Sequence, residues 1–257
     1  MAKDTSDSRP QHRVASRIAC GMASCGALSM MASCASAPPY QQWGSMREVL
    51  RDEDTQARVA LAEAGLTRDS YGVGALAELE GEITIDAGEV WISRSLGSDA
   101  VATTTGVTSD DAAAMLFLGA VSAWTDVPVA EPVAPMELDA FLAAALADEG
   151  GRAEPVPFRI EGEFSDVKMH VIGGQCPVRA RMHGEPMTRP AFELSIPRAS
   201  ATVVGIFAAD AAGDVTHMGS DTHMHIIIEH DGQMVTGHVE SIGVLAGSTI
   251  QIPSAEQ

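Results

Sequence analysis

Three histidines toward the C-terminal end have the types and spacing that can hold a metal. They lie in the run Thr222-His223-Met224-His225-Ile226-Ile227-Ile228-Glu229-His230-Asp231-Gly232-Gln233-Met234-Val235-Thr236-Gly237-His238-Val239. Asp-Gly between two apolar-rich runs favours a two-residue type I′ hairpin turn, which needs positive φ at both central positions. A turn at Asp231-Gly232 pairs His230 with Gln233 and carries His225 directly opposite His238. His223, two residues from His225, then shares its face. The other face collects Met224 with Val239, Ile226 with Gly237 and Ile228 with Val235, so one register accounts for an imidazole face and an apolar one. Three neutral imidazoles that leave a coordination position open are the pattern of a catalytic zinc site. Nitrogen donors also suit other divalent metals. H-x-H alone arises often in strands without a metal, and the third, register-matched histidine is what separates this segment from that case. His12, His183, His217 and His230 have no such partner and read as surface histidines.

The elements that must position this hairpin are mostly strands. Strand-like patterning covers Gly81–Ser93, Phe158–Val171, Ala201–Ala208, Thr222–Glu229 and Gln233–Ser241. Two helices accompany them. Ser45-Met46-Arg47-Glu48 has the form of a capping box. It is followed by Val49, Leu50, Ala57, Ala60, Leu61 and Ala64 at helical spacing, with Gly65 as a stop. A second helix is expected from Glu137 to about Asp148, with Leu138, Phe141, Leu142, Ala145 and Leu146 on one stripe and Gly150-Gly151 ending it. The fold class is therefore α+β and strand-rich. It comprises an N-terminal β-rich half with helices over 46–150 and a C-terminal metal-binding half over 151–257. A barrel-like sheet carries the histidine hairpin in the second half.

Charge and composition limit the partners. The chain has 257 residues, 35 acidic against 16 basic side chains and a net charge of −19. That balance repels nucleic acid and anionic membrane surfaces, and 4% aromatic residues leave little material for stacking platforms. Residues 1–17 carry Lys3, Arg9, Arg13 and Arg17 against Asp4 and Asp7. A small-residue, mildly apolar run follows from Ile18 to Ser33, in the order of an export signal, and it is too short to span a bilayer. Met31-Ala32-Ser33-Cys34 resembles a bacterial lipoprotein box with Cys34 as the lipid acceptor; a cut after Ala35-Ser36-Ala37 is the competing exit. Residues 1–34 are thus expected to be a lipoprotein-type signal peptide and 35–45 a linker, giving a cell-envelope lipoprotein or a secreted protein. Any membrane contact would run through a lipid on Cys34. Removing residues 1–34, which carry a net +2, leaves −21 and a single cysteine, Cys176, so no internal disulfide can form.

Four blocks in order resemble the α-acetolactate decarboxylases. The first is Tyr71-Gly72-Val73-Gly74-Ala75 through Leu79-Glu80-Gly81-Glu82-Ile83-Thr84-Ile85-Asp86-Ala87-Gly88. The second is Phe158-Arg159-Ile160-Glu161-Gly162-Glu163-Phe164-Ser165-Asp166-Val167-Lys168, the third Val203-Val204-Gly205-Ile206-Phe207, and the fourth the histidine hairpin. The resemblance covers about residues 71–253. It implies a zinc lyase converting 2-acetolactate, a 2-hydroxy-3-keto acid, to acetoin and carbon dioxide. It further implies Zn2+ held by His223, His225 and His238, Glu82 as an active-site acid, and a homodimer. Read without the family, Glu82 is an ordinary exposed strand glutamate.

Two departures accompany the resemblance. The family places an arginine that binds the substrate's charged groups six residues beyond Phe164, where this chain has His170. An imidazolium holds a carboxylate without the bidentate fork and only when protonated; Arg179 or Arg181 are the neighbouring guanidinium groups. Family members also continue past the element matching Ile252-Pro253 with a tail that bears a further glutamate, whereas the late acid here is Glu256, too early for that role. These departures motivate an alternative, a metal-binding scaffold of the same fold that has lost or changed its substrate. The hairpin also resembles that of the plant- and prokaryote-conserved domain, some of whose members attach to DNA, but a charge of −21 and the Gly81-Glu82 block argue against that reading.

Overall fold

The computed structural model describes residues 40–151, 155–175, 180–181, 184, 186–187 and 189–255. The export segment with Cys34, and His12, Cys176, Arg179, His183 and Glu256, lie outside the described residues. Two antiparallel sheets carry the fold. The first contains β1 (Tyr40–Trp43), β2 (Val59–Ala60), β3 (Ser70–Leu76), β4 (Glu82–Asp86), β5 (Glu89–Gly97), β6 (Ala100–Thr105) and β7 (Ala112–Ala120). Its order is β1-β7-β3-β4-β5-β6, with β2 also on β7. The second contains β8 (Trp124–Pro128), β9 (Val156–Val171), β10 (Phe192–Phe207), β11 (Thr222–His230), β12 (Gln233–Val244) and β13 (Thr249–Pro253) in the order β10-β11-β12-β9-β13-β8. Because β10 also pairs with β9, four strands close a ring from which β13 and β8 extend. The expected barrel-like sheet is thus partly ring-like and not a complete barrel. The change of sheet falls between Ala120 and Trp124, upstream of Gly150.

The second helix forms as the spacing predicts. It is α2 (Leu138–Asp148), with Leu138, Leu142 and Leu146 buried against the ring interior of Phe158, Ile160, Phe164, Val203, Ile226, Ile228 and Val235. Gly150 and Gly151 at φ 92° and 64° end it, the Gly151 amide donating to Leu146 O at 2.9 Å. Asp139 in its first turn accepts from the Asp221 amide at 2.9 Å and the Thr222 hydroxyl at 2.8 Å. That contact anchors the residue just before His223.

The first helix is a correction. Spacing predicts it from the Ser45 cap to Gly65, yet α1 covers only Met46–Leu50. Ser45 does cap it, accepting from the Glu48 amide at 3.2 Å, but the Glu48 carboxylate meets the Ser45 hydroxyl rather than its amide. Asp52, Glu53 and Asp54 then crowd the end where the helix dipole is negative, and Glu53 turns to φ 58°. The apolar residues beyond do other work: Val59 and Ala60 pair with Ala113 and Ala112, and Leu61 opens a single 3-10 turn against Ile83 and Ile85.

The two sheets meet through side chains of opposite faces. Tyr71, Val73, Ala75 and Phe117 of the first pack on Val204 and Ile206 of the second, together with Ile172. One ion pair also crosses between them. The Arg159 guanidinium grips Asp86 with Nε to Oδ1 at 2.8 Å and Nη2 to Oδ2 at 3.2 Å, while also meeting Glu161 at 2.6 Å and Gln251 at 3.1 Å. Both partners are about one-sixth exposed, so the fork is shielded and bidentate. Asp86→Ala should lower stability by about 2–3 kcal/mol, because it strips two charge-assisted bonds from a shielded guanidinium. The check is the urea midpoint at an unchanged m-value.

Candidate metal centre

The hairpin register is the one the turn demands. His225 pairs with His238, Ile226 with Gly237, Ile228 with Val235 and His230 with Gln233, and Asp231 and Gly232 sit at φ 50° and 78°. Ile226 and Ile228 join the ring interior. His223 and His225, alternating with them, face the first sheet and are 1% and 0% exposed. Gly237 makes the neighbouring approach possible: a Cβ there would stand 2.5 Å from the His170 carbonyl oxygen.

The ligating atoms of His223, His225 and His238 all lie within 4.8 Å of one another. Two of the outer nitrogens, on His223 and His225, are already committed. His223 Nδ1 donates to Val215 O at 3.1 Å, which leaves its Nε2 unprotonated. His225 Nδ1 meets Thr84 Oγ1 at 3.1 Å, and its Nε2 is buried with no hydrogen-bond partner. A buried, unsatisfied nitrogen is costly unless something else takes its lone pair. Together with the all-nitrogen donor set, it shows that these residues fit a transition metal such as zinc.

Sheet packing brings the remaining groups to this face. Glu82, at the start of β4, is 3% exposed, not the exposed glutamate that the strand alone suggests. Its Oε2 is 3.6 Å from His225 Nε2 and its Oε1 is 4.0 Å from His170 Nε2, with the Ile172 amide donating to Oε1 at 3.4 Å. His170 pairs across β9 with His238. A small cavity runs between Glu82, His170, His223 and His238 and an apolar wall of Met46, Val49, Leu79 and Met115. A larger, more open hollow near Leu66 and Val107 has Glu89 as its only ionisable lining residue, so size does not mark the chemistry here.

Four further residues stand at the site that the sequence reading did not single out. His217, read from sequence as a surface histidine, lines the cavity, its ring 4.7 Å from that of His238 and 6.0 Å from that of His223. It comes from the turn-rich segment before β11, where no periodicity could have placed it. Thr84 and Thr236 share a 2.5 Å contact behind His225. Each lies two residues from a predicted site residue, Glu82 and His238, so strand alternation would have found them. Glu240 accepts from His170 Nδ1 at 2.9 Å. His230 stays at the hairpin tip beside Asp231, and Arg181 reaches Glu240 and Glu193 rather than the cavity.

Burial controls the charges. It pushes the Glu82 carboxyl up to about 7, against the opposing pulls of His170 and the Ile172 amide. It pulls His217 down to about 4 and His223 to about 3, and holds His225 and His238 well below the ordinary imidazole value, with the neighbouring histidines adding to the effect. Between pH 6.5 and these folded values the unfolded chain holds more protons on the four histidines, so stability falls as pH falls. Glu82 acts the other way between 4.5 and about 7, one group against four. In chelator-treated protein the urea midpoint should therefore drop from pH 7 to pH 5, and drop less in His217→Gln. A midpoint that is flat or rises on acidification would contradict the four neutral imidazoles.

The family model for alpha-acetolactate decarboxylase matches residues 49–257. No curated protein matches the chain by sequence. Among solved structures, alpha-acetolactate decarboxylase from Bacillus subtilis strain 168 is 22% identical at a TM-score of 0.62, over 83% of this chain and 84% of that one. A Staphylococcus aureus protein of unknown function, similar to alpha-acetolactate decarboxylase, is 14% identical at a TM-score of 0.59, again over 83% and 84%. At such identities the likeness to these structures establishes a shared fold.

Proposed function

For a chain that belongs to the alpha-acetolactate decarboxylase family, we propose zinc-dependent conversion of 2-acetolactate to acetoin and carbon dioxide. One observation carries the reading. A buried carboxyl that titrates near neutrality and a histidine nitrogen with no hydrogen-bond partner stand 3.6 Å apart beside the same cavity.

His223, His225 and His238 would hold the zinc, which supplies a positive charge beside the substrate oxygens that become electron-rich as carbon dioxide departs. The bond that breaks joins the carboxylate carbon to C2. Its electron pair passes into the adjacent ketone, and C2 must then take a proton to become the carbinol carbon of acetoin. Glu82 is placed to hold and deliver that proton. A carboxyl lifted to about 7 is both protonated and able to release its proton under neutral conditions. Met46, Val49, Leu79 and Met115 keep the opposite wall apolar, which favours Glu82 over bulk water as the proton's source. His170, with Nδ1 given to Glu240, would offer Nε2–H to the substrate carboxylate as an imidazolium, the form in which both ring nitrogens are donors.

Zinc-loaded protein should release acetoin from racemic 2-acetolactate. Glu82→Gln should keep its zinc and lose about 10²–10⁴-fold in kcat, whereas His225→Ala should lose the zinc itself. Zinc retained with no acetoin from wild type would overturn the decarboxylase and leave the metal-binding scaffold. Export is a separate proposal resting on residues 1–34. If Cys34 is acylated, Cys34→Ser should move the protein from the membrane fraction to the soluble one.

A further inference from the structure

His170 lines the cavity with Nε2 4.0 Å from Glu82 Oε1, and an imidazole ring can serve there only if the correct edge faces the cavity. On β9 it is flanked by Glu193 of β10 and His238 of β12. Rotating a buried imidazole by half a turn exchanges its nitrogens for carbons at nearly the same positions, so packing alone does not choose between the two orientations. A hydrogen-bond acceptor does choose. The Glu240 carboxylate stands 2.9 Å from His170 Nδ1, and a carboxylate oxygen accepts only from an N–H.

Two independent features hold Glu240 in that place. The register of β12 on β9 shifts between Val239, which pairs with Met169, and Ser241, which pairs with Lys168. Glu240 is therefore the extra residue of a β-bulge, a device that re-aims a side chain. Arg181 then fastens the carboxylate from outside, with Nη2 at 3.1 Å from Glu240 Oε1 and Nη1 at 2.6 Å from Glu193 Oε1.

We propose that Glu240, aimed by the bulge and tethered by Arg181, is a positioning residue that keeps His170 Nε2 turned toward Glu82 and the cavity. In that arrangement an imidazolium, donating from Nδ1 to Glu240 and from Nε2 into the cavity, does part of a guanidinium's work, and Arg181 acts one residue removed from the substrate. The kinetic side of this inference rests on the decarboxylase reading; the orientation of the ring does not.

The test compares zinc-loaded wild type, Glu240→Ala and Glu240→Gln, with zinc content as the control for an intact site. Long-range proton–nitrogen spectra of histidine-labelled protein, with His170 assigned by its loss in His170→Gln, should show the proton on Nδ1 in wild type and Glu240→Gln. Glu240→Ala should lose that signature. In acetoin release, Glu240→Ala should raise KM about tenfold with kcat little changed, and Glu240→Gln, which keeps an acceptor, should restore most of the loss. A His170 with no proton on Nδ1 in wild type overturns the inference, as does a Glu240→Ala protein with an unaltered nitrogen pattern. Equal KM losses in the Ala and Gln variants also overturn it. If wild type releases no acetoin, the decarboxylase reading falls while the nitrogen spectra still decide the role of Glu240.

Discussion

A strand's side chains alternate between two faces, so slipping β11 by one residue against β12 would send His223 and His225 into the ring interior and Ile226 and Ile228 out toward the first sheet. The site hangs on that register. The two-residue turn at Asp231-Gly232 sets it from one end, where both residues take positive φ. Asp139 sets it from the other, gripping Asp221 and Thr222 from α2. Gly237 allows β12 to lie close enough to β9 for His238 and His170 to pair. With those three points fixed, the imidazoles have one place to go.

That place is short of water, and the shortage governs its chemistry. Three buried histidines and the half-buried His217, pressed together, remain neutral, the state in which imidazole donates a lone pair to a metal. The same burial acts on Glu82 in the opposite chemical sense, retaining a proton on a group that is ordinarily ionised. One physical cause thus acts on both the candidate ligands and the candidate acid. Glu240 is half outside this zone and holds its charge firmly, brought down to about 2 chiefly by its hydrogen bond to His170, with Arg181 adding to the effect.

The sequence was most legible where local rules apply. Asp-Gly between apolar runs predicts the turn, and strand periodicity then predicts every pair from His230–Gln233 to His225–His238. The α2 stripe reads equally well because Leu138, Leu142 and Leu146 recur at one-turn intervals and each finds the core. The α1 pattern misleads because an apolar residue at helical spacing carries no label saying what it packs against. Val59 and Ala60 answer to β7, a long-range partner that periodicity does not see. His217 escapes for a related reason, since an irregular segment has no period. The burial of Glu82 depends on two sheets meeting, and only the family resemblance hinted at it.

The three candidate ligands belong to one hairpin of the second sheet, while the buried acid belongs to the first. The candidate ligands and the candidate acid thus draw on different levels of organisation, one nearly local and the other dependent on how two layers seat. Inheritance can act on them separately. A lineage could drift at the layer contact, or at the Asp86–Arg159 fork that crosses it, and retain full metal content long after turnover had gone. For proteins built this way, an occupied metal site is poor testimony to catalysis, and the informative residues for sorting enzymes from their silent relatives lie on the sheet that supplies no candidate ligand.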